Sequence, residues 1–285
     1  EFDPDYFKNV SKELNLKHIE QILKLNHTTT FTDEKEEYQG LDPWVQWVSI
    51  HSGKPFKEHG ICRLSETKRQ NFKQIWNVFG ENKNYSCGIW GVMNAPCNSR
   101  KGVQFFVPDP WSFDESAIPS NLNDFLSLPR YMAKNYLSTD LTKLIRESLR
   151  MIKFIFQNRG GGKTRKFILM VIKSFLISGV NVHTFSSLLD YLSTLYFIDL
   201  KVKFNTNFNI IFLNHIAHIQ HQFWDKNEKK MSKHMKLALI ICNEIFGILI
   251  KNTKKNEEFM IINGLRQKLV KGDGLFLYRQ KNPLE

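Results

Sequence analysis

The stretch FNIIFLNHIAHIQHQFW, running from Phe208 to Trp224, sets the reading of the whole chain. Its first six residues are almost wholly apolar and rich in β-formers, which predicts a buried strand. Asn214, His215, His218 and His221 follow, so three of the nine histidines fall within seven residues. Polar side chains gathered where a strand ends occupy the place where open α/β sheets bind ligands. His215 and His218 are three apart, as are His218 and His221, so on a helical turn they share a face. Converging neutral imidazoles suit Zn, Mn or Fe. The competing reading is that they are polar tips of a core-facing helix.

Working outward, 285 residues accommodate one large α/β domain, and we read 1–285 as such. A hydrophobic content of 42% with 23 Phe is ample for a packed core. Cys62, Cys87, Cys97 and Cys242 form neither a CxxC pair nor a disulfide-framework spacing, which predicts reduced thiols and a cytoplasmic location. The longest apolar run, 167–180, is interrupted by Lys173 and is too short to span a bilayer. The first residue is Glu1 and not Met, so the expectation is that the chain begins after an expression or annotation boundary. The net charge of +12 invites a nucleic-acid reading. No DNA- or RNA-binding motif accompanies it, and no specific nucleic-acid partner is expected.

At the N-terminus, Phe2-Asp3 reads as the end of a first strand, with Asp3 at its tip. Tyr6 to Leu25 then carries Phe7, Val10, Leu14, Ile19, Ile22 and Leu23 at helical spacing. Asp42 as N-cap, Pro43 as first helical residue and Gly53 as C-cap bound a helix. Residues 72–79 read as a helix, 86–92 and 105–107 as strands of βα repeats. From 115 to about 205 the pattern is helical, which predicts a cap or insertion over the sheet. Thr139 to Gln157 is amphipathic, with Leu141, Leu144, Ile145, Leu149, Ile152 and Ile155 as its apolar face. Between 140 and 175 nine Lys or Arg face two acidic residues, a balance suited to an anionic substrate or an anionic membrane surface. Gly160-Gly161-Gly162-Lys163-Thr164 is not a P-loop, because Gln157 stands where the leading Gly belongs and no strand precedes it. We read it as a flexible inter-helix turn. Lys236 to Ile250 reads as a helix, Glu258 to Ile262 as a strand ending at Asn263-Gly264-Leu265, and Leu275 to Tyr278 as a short edge element.

The segment SIHSGKPFKEHGI, 49–61, resembles the stretch after the nucleophile in the alkaline phosphatase superfamily, particularly its type I phosphodiesterase/nucleotide pyrophosphatase branch. The Asn214 to His221 stretch is placed similarly to that family's Asp-His-x-x-His metal motif, and Asp3 falls where the family has a metal-binding Asp. The resemblance implies a mostly parallel sheet flanked by helices, with a helical insertion. It also implies metal-assisted hydrolysis or transfer on a phosphate-bearing substrate: a nucleotide, a sugar phosphate or a glycan intermediate.

The chain departs from the family pattern in several places. The hydroxyl nucleophile's slot holds Asp42 and Pro43, Asn214 stands for Asp, and Asn263-Gly264-Leu265 stands for Asp-His-Gly. No histidine follows His234. What survives implies a single divalent ion, Zn, Mn or Fe, held by Asp3, Asp42, His215 and His218. Asp42 is also the one reactive group at the nucleophile slot. His221 or His59 would serve as acid or base, and Lys54, His59 and Arg266 as substrate contacts. The alternative is a catalytically altered member of the fold that binds an anionic ligand or partner without turnover.

Overall fold

The computed structural model describes residues 4–34, 42–81, 85–135, 138–158, 161–223 and 231–265. It is a mixed helical and sheet architecture around a three-stranded parallel sheet of order β2-β1-β3. The strands are β1 (Cys87–Trp90), β2 (Val103–Val107) and β3 (Phe208–Ile211). All four residues of β1 are buried, as a central parallel strand covered on both faces must be.

Alternation along the strands sends side chains to two cores. Cys87, Ile89, Val103 and Phe106 pack with Trp76 on one face. Trp90, Phe105 and Val107 join the larger helical core on the other. Gly88 lies opposite Phe105 in the register, and a Cβ there would stand 2.2 Å from the Phe105 ring. The strand can pass that ring only with glycine at this position.

On the smaller core's side lie α3 (Pro43–Ser52), the single-turn α4 (Phe56–His59), which packs on α3, and α5 (Ile75–Glu81), which packs on the sheet. Phe79 of α5 stacks on Phe208 at 4.5 Å, and Trp47 of α3 meets Phe212 edge-on at 4.9 Å. The boundaries of α3 follow the expected signals. Asp42 is the N-cap residue, Pro43 opens the helix, and Gly53 closes it at φ 69° with its N–H bonded to the Ser49 carbonyl. The Asp42 side chain itself makes no capping bond.

The other face carries α1 (Pro4–Glu13), α2 (Lys17–Ile22), α6 (Asn123–Lys134), α7 (Leu141–Gln157), α8 (Gly161–Ser178), α9 (Val182–Phe204), α10 (His215–Phe223) and α11 (Lys233–Lys251). The central helix is α9, whose Phe197 and Phe204 both meet Phe105. Within the region expected to be an insertion, α9 therefore shares the core of the sheet. No helix among the described residues is long and apolar enough to cross a membrane.

Several expectations are corrected. The helix expected over 6–25 is two helices, because Asn15 turns the chain into the left-handed region at φ 53° between them. The expected strand over 258–262 is absent: Phe259 and Ile261 pack on the larger core, but the segment has no ladder partner among the described residues. In the glycine run, Gly160 lies outside the described residues and the rest is not a free turn, since α8 begins at Gly161 and includes Lys163 and Thr164. In α7 four residues of the expected apolar face, Leu141, Ile145, Leu149 and Ile152, point outward, while Leu144 and Ile155 are half-buried. Glu147, Met151 and Phe154 are buried instead, with Phe154 held against Phe125 and Tyr196. The expected elements at 2–3 and 275–278 lie outside the described residues.

Candidate functional site at the end of the third strand

β3 hands the chain to α10 through Phe212-Leu213-Asn214. The first N–H groups of a helix need acceptors and favour negative charge. Asp190, from the middle of α9, supplies both. Its Oδ2 accepts from the backbone N–H of Asn214 at 2.7 Å and of His215 at 2.8 Å. The same oxygen lies 2.8 Å from His215 Nδ1, and His215 Nε2 lies 3.2 Å from the Ala238 carbonyl oxygen of α11. His215 is 1% exposed, and both its ring nitrogens face acceptors. That arrangement locks α9, α10 and α11 together with a protein oxygen against each ring nitrogen, so His215 does not fit the ligand role expected of it.

His218, one turn later, is placed differently. Its Nε2 lies 3.3 Å from Nδ1 of His183, in the first turn of α9. The His234 ring, near the start of α11, lies 5.4 Å from that of His183, and its Nδ1 is 2.6 Å from Ser178 Oγ at the end of α8. Phe223 packs on both, with ring centroids 4.7 Å from His183 and 4.3 Å from His234. All three imidazoles are partly buried. Burial pushes each below the ordinary histidine value, and the neighbouring His183 adds to the effect for His218 and His234. Each is thereby biased toward the neutral form, which ligates metals or shuttles protons. His221 is exposed and close enough to His218 to disfavour its charging.

A second histidine group lies on α3 and α4. His59 Nδ1 accepts the Ile61 N–H at 3.0 Å, so its proton resides on Nε2, which points at Ser49 Oγ at 3.0 Å. An imidazole in that tautomer donates to the serine and cannot take its proton, so the pair is not a nucleophile–base pair. His51 is 2% exposed, bonded through Nδ1 to Gln74, and burial pushes it down to about 4.

The remaining expected residues are scattered relative to these groups. Lys54 pairs with Glu58 at 3.0 Å on the exposed α3–α4 turn. Asp42 stands at the start of α3, its carboxyl raised by partial burial. Asp3 and Arg266 lie outside the described residues. Of the expected metal set, the structure brings together His215 and His218, both near Asp190, and only His218 offers a ring nitrogen to another imidazole. Among the described residues, no group of three or more His, Cys, Asp or Glu is arranged to hold a metal ion.

Asp190, His183, His234 and Ser178 were not singled out from the sequence. The available signal was spacing on α9: His183 and Asp190 are seven apart, which puts them on one face of the helix.

A buried carboxylate also organises the turn after β2. Asp109 accepts from the N–H groups of Asn94 at 2.9 Å, Trp111 at 2.9 Å and Ser112 at 3.2 Å, and from Ser112 Oγ at 2.5 Å. Its surroundings are structural, fixing the turns after β1 and β2 to each other. Compared with protein-family profiles, curated proteins and solved structures, the chain matches none.

Proposed function

We propose that the chain acts on a phosphate-bearing substrate with the help of one divalent metal ion, and that His183 and His218 are its protein ligands. The observation that carries this reading is their nitrogen separation of 3.3 Å. Two imidazole nitrogens at about 2.0–2.1 Å from one tetrahedral zinc stand about 3.3 Å apart, so the pair already has the spacing of one edge of such a site. His234, third in the cluster, lies beside it. A bound ion would supply Lewis-acid polarisation of a phosphoryl oxygen. The exposed His221 would hold or release a proton beside the pair, and Phe223 packs edge-on against the His183 ring. The resemblance of 49–61 to a phosphodiesterase branch gives the substrate class.

Zinc and manganese titration of wild type, His183→Ala and His218→Ala tests this reading, alongside turnover of an aryl phosphodiester. Stoichiometric binding lost in both variants, with turnover lost in parallel, is the expected result. Equal binding in all three proteins would overturn it.

A second reading, ligand binding without turnover, is favoured by Pro43 at the hydroxyl slot and by the full engagement of His215 with Asp190 and Ala238. Metal binding that depends on His183 and His218, without phosphodiester turnover, would select it.

A further inference from the structure

The outward face of α7 is a continuous apolar stripe. Leu141, Ile145, Leu149, Ile152 and Phe156 are between 45% and 68% exposed. At about 100° per residue these five fall within a sector of about 80°. Lys143, Arg146, Arg150 and Lys153 occupy the next sector, and the buried Glu147, Met151 and Phe154 the third. The helix thus presents a core face, an apolar face and a cationic face side by side.

The next helix repeats the pattern. Ile168, Leu169, Ile172 and Leu176 of α8 are between 51% and 82% exposed, and Val180, Val182 and Phe185 around the α8–α9 turn are between 52% and 70% exposed. Lys166 and Lys173 flank them. The one acidic residue within α7 and α8, Glu147, is turned inward to Arg146 and Arg150. Lys153, Arg165, Lys166 and Lys173 have no ion pair among the described residues, so their charge is directed at solvent.

We infer that α7 and α8 form a docking surface for an anionic phospholipid bilayer, seated on the interface rather than crossing it. Exposed apolar area of this extent marks an interaction site. Charge complementarity selects the occupant: apolar side chains bordered by unpaired Lys and Arg match acyl chains beneath anionic headgroups. This inference is independent of the histidine cluster and of the substrate class proposed above.

The test is flotation of the full chain with vesicles of phosphatidylcholine alone, and of phosphatidylcholine mixed with phosphatidylserine. Three proteins are compared: wild type, Leu149→Glu/Ile152→Glu and Lys153→Glu/Lys166→Glu. All four positions are on exposed faces, and far-UV circular dichroism checks that each variant keeps its helices. Wild type is expected to float with the serine-containing vesicles only, and each variant to bind them about tenfold or more weakly. Failure of wild type to bind overturns the inference, as does equal binding to both vesicle types or unchanged binding by the Leu149→Glu/Ile152→Glu variant. A concentration-dependent dimer in light scattering, dispersed by Leu149→Glu/Ile152→Glu and without affinity for vesicles, would assign the face to a second copy and overturn it too.

Discussion

Asp190 and His215 are joined twice: one carboxylate oxygen faces both the ring Nδ1 and the backbone N–H of the same histidine, each at 2.8 Å. Asp190 is thereby both the anion at the start of α10 and the partner of a buried imidazole. Asp190→Ala would strip acceptors from three donors at once. The expected cost is about 2–4 kcal/mol, read as a lower urea midpoint at unchanged slope. A change near zero would show that water replaces the carboxylate.

The two histidines of α10 should separate cleanly. His215→Ala removes a side chain that ties three helices together and is expected to lower the melting temperature. His218→Ala touches a half-buried ring facing another imidazole, and is expected to remove metal affinity with the melt nearly unchanged. Thermal scans paired with zinc titration read both effects. An unfolded His218→Ala protein would make that ring structural.

His51 gives a pH dependence with a definite sign. Burial lowers it from its ordinary value of 6.5 to about 4 in the folded state. As pH falls through that window the unfolded chain takes up a proton that the folded chain refuses. This contribution is therefore fully present above pH 6.5 and is lost as pH drops toward 4, by roughly 3 kcal/mol. Urea melts across the window should show stability rising with pH, and His51→Gln should remove that part of the slope. A variant with the parent slope would assign it to other groups.

Gly88→Ala is a packing test of the sheet. The new methyl would fall 2.2 Å from a ring carbon of the fully buried Phe105, which has no room to retreat. Overpacking of this kind costs about 1–3 kcal/mol. Chemical denaturation measures it, and a Phe105→Leu background, which clears the ring, should recover part of the loss.

Legibility of the fold followed the nature of each signal. The Asp42-Pro43 to Gly53 bracket was readable because local chemistry alone decides it, and so was 208–211 as a strand, although β3 is half-buried at the sheet edge where a buried strand was expected. The break at Asn15 was hidden, since Asn adopts the left-handed conformation only where packing rewards it. In α7 the period was plain but its orientation was not. Periodicity finds the faces of a helix, and neighbours choose which one is buried: here Phe125 and Tyr196 take Phe154, leaving Leu149 outside. For the candidate site, His218 was visible as part of a local cluster. His183, Asp190 and His234 reach it only through the docking of α9, α10 and α11, which no spacing within 214–221 could announce.

That the imidazoles come from three separate helices has a thermodynamic consequence. His183 and His218 are 35 positions apart in the chain, so the pair exists only once the helices have closed on one another. In the unfolded chain the two rings wander independently, and a ligand that needs both finds no partner there. Its binding energy would therefore add almost wholly to the native state, raising the melting point with ligand concentration as the logarithm of saturation. The cluster would then act as a clasp whose occupancy can be read from the heat resistance of the whole molecule.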